Sequence, residues 1–250
     1  MYRNLSDGEL VRAHGVFIAE GRLVVQRVIE HGGYAVRSVL VNDAALRSLE
    51  RTLVELDASV PVYVSAADAF PAITGYNIHR GCLAVVERPR ERSIDEVSAG
   101  ARTLVVLEAV TNADNVGGVF RNAASFGCSG VVLSPTCCDP LYRKAVRTSM
   151  GAVLSTPFAR ANEWPQALAQ LRADGFTIAA LTPRDPSTSI DDFVRVGRPE
   201  RLAIVAGTEG SGLTVEADAL ADVRLRIPIA DAVDSLNVAV AVGIALYALR

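Results

Sequence analysis

Residues 103–127, TLVVLEAVTNADNVGGVFRNAASFG, decide the fold. An apolar run of strand length, residues 103–110, leads through a polar connection into a segment with helical spacing that stops at Gly127. A plain turn needs one glycine. This connection carries Gly117, Gly118 and an arginine, Arg121. The glycines permit close backbone approach, and Arg121 is expected three or four residues into the turn, beside the strand end. A dinucleotide-binding fingerprint fits poorly, because NVGGVFRNA lacks the third glycine at the required spacing.

The same alternation continues toward the C-terminus through GVVLS, DPLYRKAVRTSMGA, EWPQALAQLRADG, FTIAALT, RLAIVAG, VRLRIPI and SLNVAVAVGIALYALR. Strands alternating with helices imply a mostly parallel sheet covered on both faces. Asp139 ahead of Pro140 reads as a helix N-cap, and Gly127 and Gly175 read as helix stops. Toward the N-terminus, EGRLVVQRVIEHGG reads as a helix, AVRSVLVND as a strand, DAALRSLERTLVEL as a helix, PVYVS as a strand, SAADAFPAI as a short helix and GCLAVVERP as a closing strand. These form a smaller α/β unit over residues 1–88. Residues 89–101 are polar and lose the apolar period, so they read as a linker to a second domain at 102–250.

Composition sets outer bounds. The 250 residues are 50% hydrophobic and 21% charged, globular values that exclude disorder as the main state. No apolar run is long enough to span a bilayer and no leader pattern opens the sequence, so a cytoplasmic protein is expected. The net charge of −3 gives no general attraction to nucleic acid, so an RNA contact has to come from a local basic patch. Of the 25 basic residues only Lys144 is lysine. Cys82, Cys128, Cys137 and Cys138 lack metal-ligand spacing and read as buried or incidental thiols.

In α/β sheets ligands collect at the carboxyl ends of strands, which selects three loops. The first carries Asn115 and Arg121. In the second, LAIVAGTEGSGL, Gly207, Glu209, Gly210 and Gly212 expose backbone groups suited to an adenine or ribose, and Glu209 is placed to hold the Arg121 guanidinium in a fork. In the third, RIPIADAVDSLNVAVAVGIALYALR, Ser235 reads as the N-cap of a buried final helix with Asn237 in its first turn. Each loop alone also has a purely structural reading.

Together, NADNVGGVFRNA, GTEGSGL and IPIADAVDSLNVAVAVGIALY resemble the SPOUT RNA methyltransferases of the TrmH class, as does GVVLSPTCCDPLYRKAVRTSMGA between the first two. The resemblance runs from about Leu104 to the C-terminus. The N-terminal unit resembles the ribosomal-protein-L30e-like RNA-binding domain. The resemblance implies a parallel-sheet α/β fold with a C-terminal trefoil knot, a homodimer, and S-adenosylmethionine as cofactor. It places Gly207, Gly210, Ile227, Ile229 and Leu236 at the cofactor, and Arg121, Asn115, Glu209, Ser235 and Asn237 at the catalytic positions, with no metal. Thr111 to Asp114 carry no weight in it.

The implied reaction moves a methyl group to a ribose 2′-hydroxyl in RNA, with ribosomal RNA ahead of transfer RNA because an L30e-like unit reads folded loops. A guanidinium is a poor proton acceptor, so Arg121 is expected to act electrostatically, with Glu209 or water taking the proton. Arg143, Lys144 and Arg147 form a basic stripe on one expected helix, and Arg22, Arg27, Arg37 and Arg80 are further RNA candidates. The rival readings are a catalytically silent RNA-binding module and a nucleotide-dependent α/β enzyme.

Overall fold

The computed structural model describes residues 2, 7–71, 81–230, 232 and 234–250. It divides into two compact units, residues 1–90 with 140–154 and residues 91–139 with 155–250. Arg80 lies outside the described residues, as does the end of the short helix expected at SAADAFPAI.

In the first unit, strands β1 (Val16–Glu20), β2 (Val36–Val41), β3 (Val62–Val64) and β4 (Cys82–Glu87) form one sheet in the order β1-β4-β2-β3. β4 runs antiparallel to β1 and β2, and β3 parallel to β2. Helices Arg22–Glu30 and Asp43–Leu53 cover it, the second capped by Asn42, whose side chain accepts from Ala45 N. Their apolar residues sit at helical spacing, as in Val24, Val25 and Val28, so one stripe is buried. Two elements have no counterpart in the sequence reading: the helix Asp7–His14 and β1. All five β1 residues are buried, which removes the polar alternation that marks a half-exposed strand.

Residues 140–154 complete this unit. The helix here spans only Arg143–Thr148, and its N-cap position is Tyr142, without a side-chain cap bond. Asp139 is therefore not the cap: Pro140 and Leu141 are buried in a turn that delays the helix. Arg147 and Arg143 face the carboxylate of Glu20, at 3.1 and 3.7 Å. Tyr34 donates its hydroxyl hydrogen to the Leu154 carbonyl, and Arg27 donates from Nη1 to that of Met150.

The second unit holds β5 (Thr103–Glu108), β6 (Gly130–Leu133), β7 (Phe158–Arg160), β8 (Thr177–Leu181), β9 (Thr188–Ser189), β10 (Leu202–Gly207) and β11 (Val223–Arg226). They form a seven-stranded sheet in the order β7-β6-β5-β10-β8-β11-β9, parallel throughout. The central strands are near-continuous apolar runs because helices cover both faces. Leu104, Val106, Val132, Leu168, Leu171, Ile178 and Val205 lie in one buried cluster.

Residues 93–98, inside the polar stretch read as a linker, form part of this unit. Ser93 and Glu96 make a reciprocal capping box at the helix Ile94–Ser98, whose Val97 is buried. The two stops expected at Gly127 and Gly175 do adopt left-handed backbone, at φ of 67° and 87°.

Candidate active site

The three loops emerge at one edge of the sheet. β5 and β10 are paired so that Glu108 stands opposite Gly207, and the registers of β10 and β11 on β8 bring Arg226 to the same level. Gly207 and Ile227 therefore lie about two strand spacings, roughly 10 Å, apart.

The first loop is shorter than the sequence implies. Asn112 caps the helix Ala113–Ser125 by accepting from Asp114 N at 2.8 Å, although the family resemblance gives residues 111–114 no weight. Arg121 therefore sits in the third turn of that helix and is exposed. The face carrying Asn115, Gly118 and Asn122, at positions i, i+3 and i+7, packs on the terminal helix Val238–Ala248. A Cβ on Gly118 would stand 2.8 Å from Ala239 Cβ, and one on Gly243 would stand 2.8 Å from Asn122 Nδ2. Gly118 thus serves the approach of two helices. Asn122 Nδ2 donates to the Ala239 carbonyl at 2.6 Å across the same seam.

Asn237, and not Ser235, caps the terminal helix: its Oδ1 accepts from Ala239 N and Val240 N. Ser235 lies two residues earlier, exposed in the loop. With the cap occupying Oδ1, the Asn237 amide nitrogen is left to donate elsewhere. It donates to Asn115 Oδ1 at 2.8 Å and to Glu209 Oε1 at 2.7 Å, and Asn115 Nδ2 donates to Glu209 Oε1 at 3.1 Å. One residue from each loop enters this closed triangle. Asn115 is buried, while Glu209 and Asn237 reach solvent.

The pairing expected between Glu209 and Arg121 is not formed: the two asparagines hold the carboxylate, and Arg121, six residues beyond Asn115, lies off the helix face that carries Asn115. Among the described residues Arg121 has no ion-pair partner, and its carbonyl accepts from Ser125 Oγ. The guanidinium is left available to a phosphate or a developing anion.

The second loop folds back on its strand. Thr208 and Gly212 form an antiparallel bridge, and Gly212 N donates to the Thr208 carbonyl at 3.0 Å. A Cβ on Gly207 would stand 2.4 Å from the Gly212 backbone, so glycine is needed there for the loop itself. Gly210, with φ of 89°, has open space where a Cβ would be. Among the described residues, Gly210, Ile227, Ile229 and Leu236 make no backbone hydrogen bond within the chain. Uncommitted backbone donors and acceptors on facing loops fit a cofactor that is held through backbone atoms, as S-adenosylmethionine would be here.

The basic residues are more occupied than a free stripe would be. Arg143 and Arg147 share Glu20, Arg27 holds the Met150 carbonyl, and Arg37 pairs with Glu87 at 3.0 Å. Arg22 Nε is buried without a hydrogen-bond partner among the described residues. Lys144 is on the same helix as Arg143 and Arg147. None of these arginines belongs to the triangle. The thiols are equally remote from chemistry: burial pushes Cys82 up to about 12 and Cys128 upward, and no His, Cys, Asp or Glu cluster suited to a metal occurs among the described residues.

Two residues outside the sequence-derived set support the site. Glu108 is buried beneath the second loop, and Asn122 ties the two helices. The apolar run ending in a carboxylate, LVVLE, was the available signal for the first.

The sequence model of the SpoU rRNA Methylase family matches residues 102–247. A Mycobacterium tuberculosis protein named as an uncharacterized tRNA/rRNA methyltransferase is 41% identical over 239 residues, covering 96% of this chain and 82% of its own length. The 23S rRNA (guanosine(2553)-2′-O)-methyltransferase RlmP of Bacillus subtilis is 28% identical over 94% of this chain and 88% of its own. Among solved structures, an AdoMet-bound rRNA methyltransferase from Sinorhizobium meliloti superposes with a TM-score of 0.81 at 26% identity, covering 97% of this chain and 90% of that one.

Proposed function

The chain belongs to the SpoU rRNA methylase family, and on that premise we propose that it transfers a methyl group from S-adenosylmethionine to a ribose 2′-hydroxyl in RNA. The observation that carries this reading is the Asn115–Glu209–Asn237 triangle, which gathers one polar side chain from each of three loops at the carboxyl edge of the sheet. A silent RNA-binding module has no use for that convergence. A nucleotide-dependent oxidoreductase would need the glycine fingerprint that the first loop lacks.

Gly207, Gly210, Ile227, Ile229 and Leu236 hold the cofactor in this reading, chiefly through backbone atoms. When bound, S-adenosylmethionine supplies an electrophilic methyl carbon on a sulfonium. Its methyl would pass to the ribose oxygen with loss of the S–CH3 bond, and the hydroxyl proton would have to be taken up by a residue of this chain or by water. The two amide donors on Glu209 Oε1 fix its carboxylate and leave Oε2 to accept that proton, directly or through water. Arg121 holds the phosphate or the developing alkoxide and orients the ribose, a role for charge and geometry that asks no proton of a guanidinium. Ser235, exposed two residues before Asn237, is assigned to the site by the family resemblance alone.

The finer assignments rest on separate grounds. Ribosomal RNA is the target we favour, since RlmP is named for 23S rRNA and the first unit, residues 1–90 with 140–154, supplies a separate surface for a folded loop. That surface includes Arg22, Arg27, Arg143, Lys144 and Arg147. We place the active unit as a homodimer, because Val240, Ile244 and Tyr247 form an exposed apolar stripe along the terminal helix, whose sequence pattern predicts burial all round. The C-terminal trefoil knot and a cytoplasmic location complete the proposal; no described helix is long and apolar enough to cross a membrane.

Calorimetry with S-adenosylmethionine and with nicotinamide cofactors, followed by mapping of 2′-O-methyl marks in total RNA with and without the protein, tests it. The expected result is binding of the first ligand alone and one new mark. Binding of a nicotinamide cofactor, or no change in marks, would overturn the reading.

A further inference from the structure

Glu108 ends β5, beside the central strand β10, 2% exposed, and none of the roles above uses it. Its carboxylate has three partners, all on other elements. Oε1 accepts from Trp164 Nε1 and, at 2.7 Å, from Thr214 Oγ1; Oε2 accepts from Thr214 N at 2.9 Å. The Thr214 hydroxyl donates to Oε1, and its oxygen is also the N-cap acceptor for Ala217 N at 3.2 Å. An indole N–H and a backbone N–H can only donate. The site therefore needs an acceptor on both oxygens, which a carboxylate meets and an amide does not.

What Glu108 grips is the return arm of the second loop. Thr214 follows Leu213, whose nitrogen packs over Gly207, and the Thr208–Gly212 bridge closes the loop just before it. The outgoing arm is fixed by the pairing of Gly207 beside Glu108 in the sheet. Glu108 thus pins both ends of the segment that carries Glu209 and Gly210. Trp164 packs against the main apolar cluster, so the anchor is tied to the core.

We propose that Glu108 is a positioning residue for the cofactor loop, holding residues 208–213 in the conformation that binds S-adenosylmethionine and presents Glu209. This rests on the methyltransferase reading above. Glu108 touches neither substrate nor the reacting atoms. Its effect is to order in advance a glycine-rich loop that would otherwise be ordered only on binding.

The test is Glu108→Gln, which keeps volume and shape. In either rotation the amide NH2 faces a group that can only donate: Thr214 N–H in one, Trp164 Nε1–H in the other. Leaving one such buried group unpaired is expected to weaken S-adenosylmethionine binding by roughly 5- to 100-fold, with a raised KM for the cofactor. Amide hydrogen exchange at residues 208–214 should quicken in the ligand-free protein. Val131→Ala, buried on β6 outside that cluster and on the sheet face opposite Glu108, controls for general destabilisation and should leave the affinity unchanged.

Glu108→Gln combined with Trp164→Phe removes the indole donor and allows the amide oxygen to take Thr214 N–H, so the double variant should regain most of the lost affinity. Unchanged affinity and exchange in Glu108→Gln overturn the inference. So does a loss matched by Val131→Ala at equal melting temperature. If Glu108→Gln does not fold, Thr214→Val, which deletes the hydroxyl donor, carries the same expectation and the same refutation. Wild-type protein that binds no S-adenosylmethionine would instead remove the reading beneath both.

Discussion

Asn237 and Asn115, 122 positions apart in sequence, are joined by a 2.8 Å hydrogen bond from the Asn237 amide nitrogen to the Asn115 side-chain oxygen. The bond exists because Asn237 commits its own oxygen to the cap of the terminal helix. One residue thereby starts a helix and closes a site. Capping and assembly of the site can be separated by substitution.

Asn237→Asp keeps a capping oxygen and replaces the donating nitrogen with a second carboxylate oxygen beside Glu209. Helix capping should survive, with stability within about 2 kcal/mol of the wild type, while turnover falls by roughly 100-fold. Asn237→Ala should lose both. Melting temperature and single-turnover methylation, measured on both variants, check this; equal activity in the Asn237→Asp variant and the wild type would show that the triangle is not needed for chemistry.

Arg121 is exposed and has no ion-pair partner among the described residues, so it contributes little to folding. Arg121→Lys should leave stability within about 0.5 kcal/mol and lower kcat by roughly 100-fold, because lysine keeps the charge and loses the planar fork. Full turnover in Arg121→Lys would refute the bidentate role.

Gly118→Ala drives a Cβ to 2.8 Å from Ala239 Cβ, an atom that cannot move without shifting the terminal helix. A loss of about 1–3 kcal/mol is expected. Gly243→Ala meets the Asn122 amide at 2.8 Å, which can rotate away by giving up its bond to Ala239. It should cost less. Denaturant unfolding of the two variants ranks them.

Arg147→Ala removes the hydrogen-bond donor that Glu20 Oε1 finds at 3.1 Å, and the Glu20 carboxylate is nearly buried. Its loss should destabilise the first unit by about 1–3 kcal/mol. If Arg143 and Arg147 also contact RNA, the Arg143→Ala, Arg147→Ala double variant flattens the dependence of RNA affinity on salt. An unchanged slope would take the pair out of the RNA surface.

Burial raises the Cys82 thiol to about 12 and the Cys128 thiol above its ordinary value. Both should resist alkylation at a pH of about 8.5, the ordinary thiol range, in the folded protein. The folded state retains these protons where the unfolded state releases them, so the associated stability is complete below the usual thiol range and is lost as pH rises through it toward about 12. Unfolding measured from about pH 8 to about pH 11 should show stability declining in step, and Cys82→Ala should flatten that decline.

Much of this was legible in the chain. Continuous apolar runs such as TLVVLE and RLAIVAG announced buried parallel strands, since a strand covered on both faces has no polar alternation to show. The same logic hid β1, whose five buried residues sit behind a polar lead and before a stronger helical pattern. The three motifs located the loops, and the family likeness said which residues in them to watch. It did not say which residue would cap the final helix: Ser235 and Asn237 are both good caps, and only the path of the backbone chose Asn237.

Residue type and spacing determined the parallel sheet and the three loops, and the family likeness picked out Asn115, Arg121, Glu209 and Asn237 within them. The tertiary structure decided the partners. Glu209 went to two asparagines and left Arg121 open, Gly118 went to a helix seam, and Arg143 and Arg147 went to Glu20. A hydrogen bond depends on separations of a few tenths of an ångström between atoms that lie far apart along the chain. Local propensity carries no record of such distances; packing sets them.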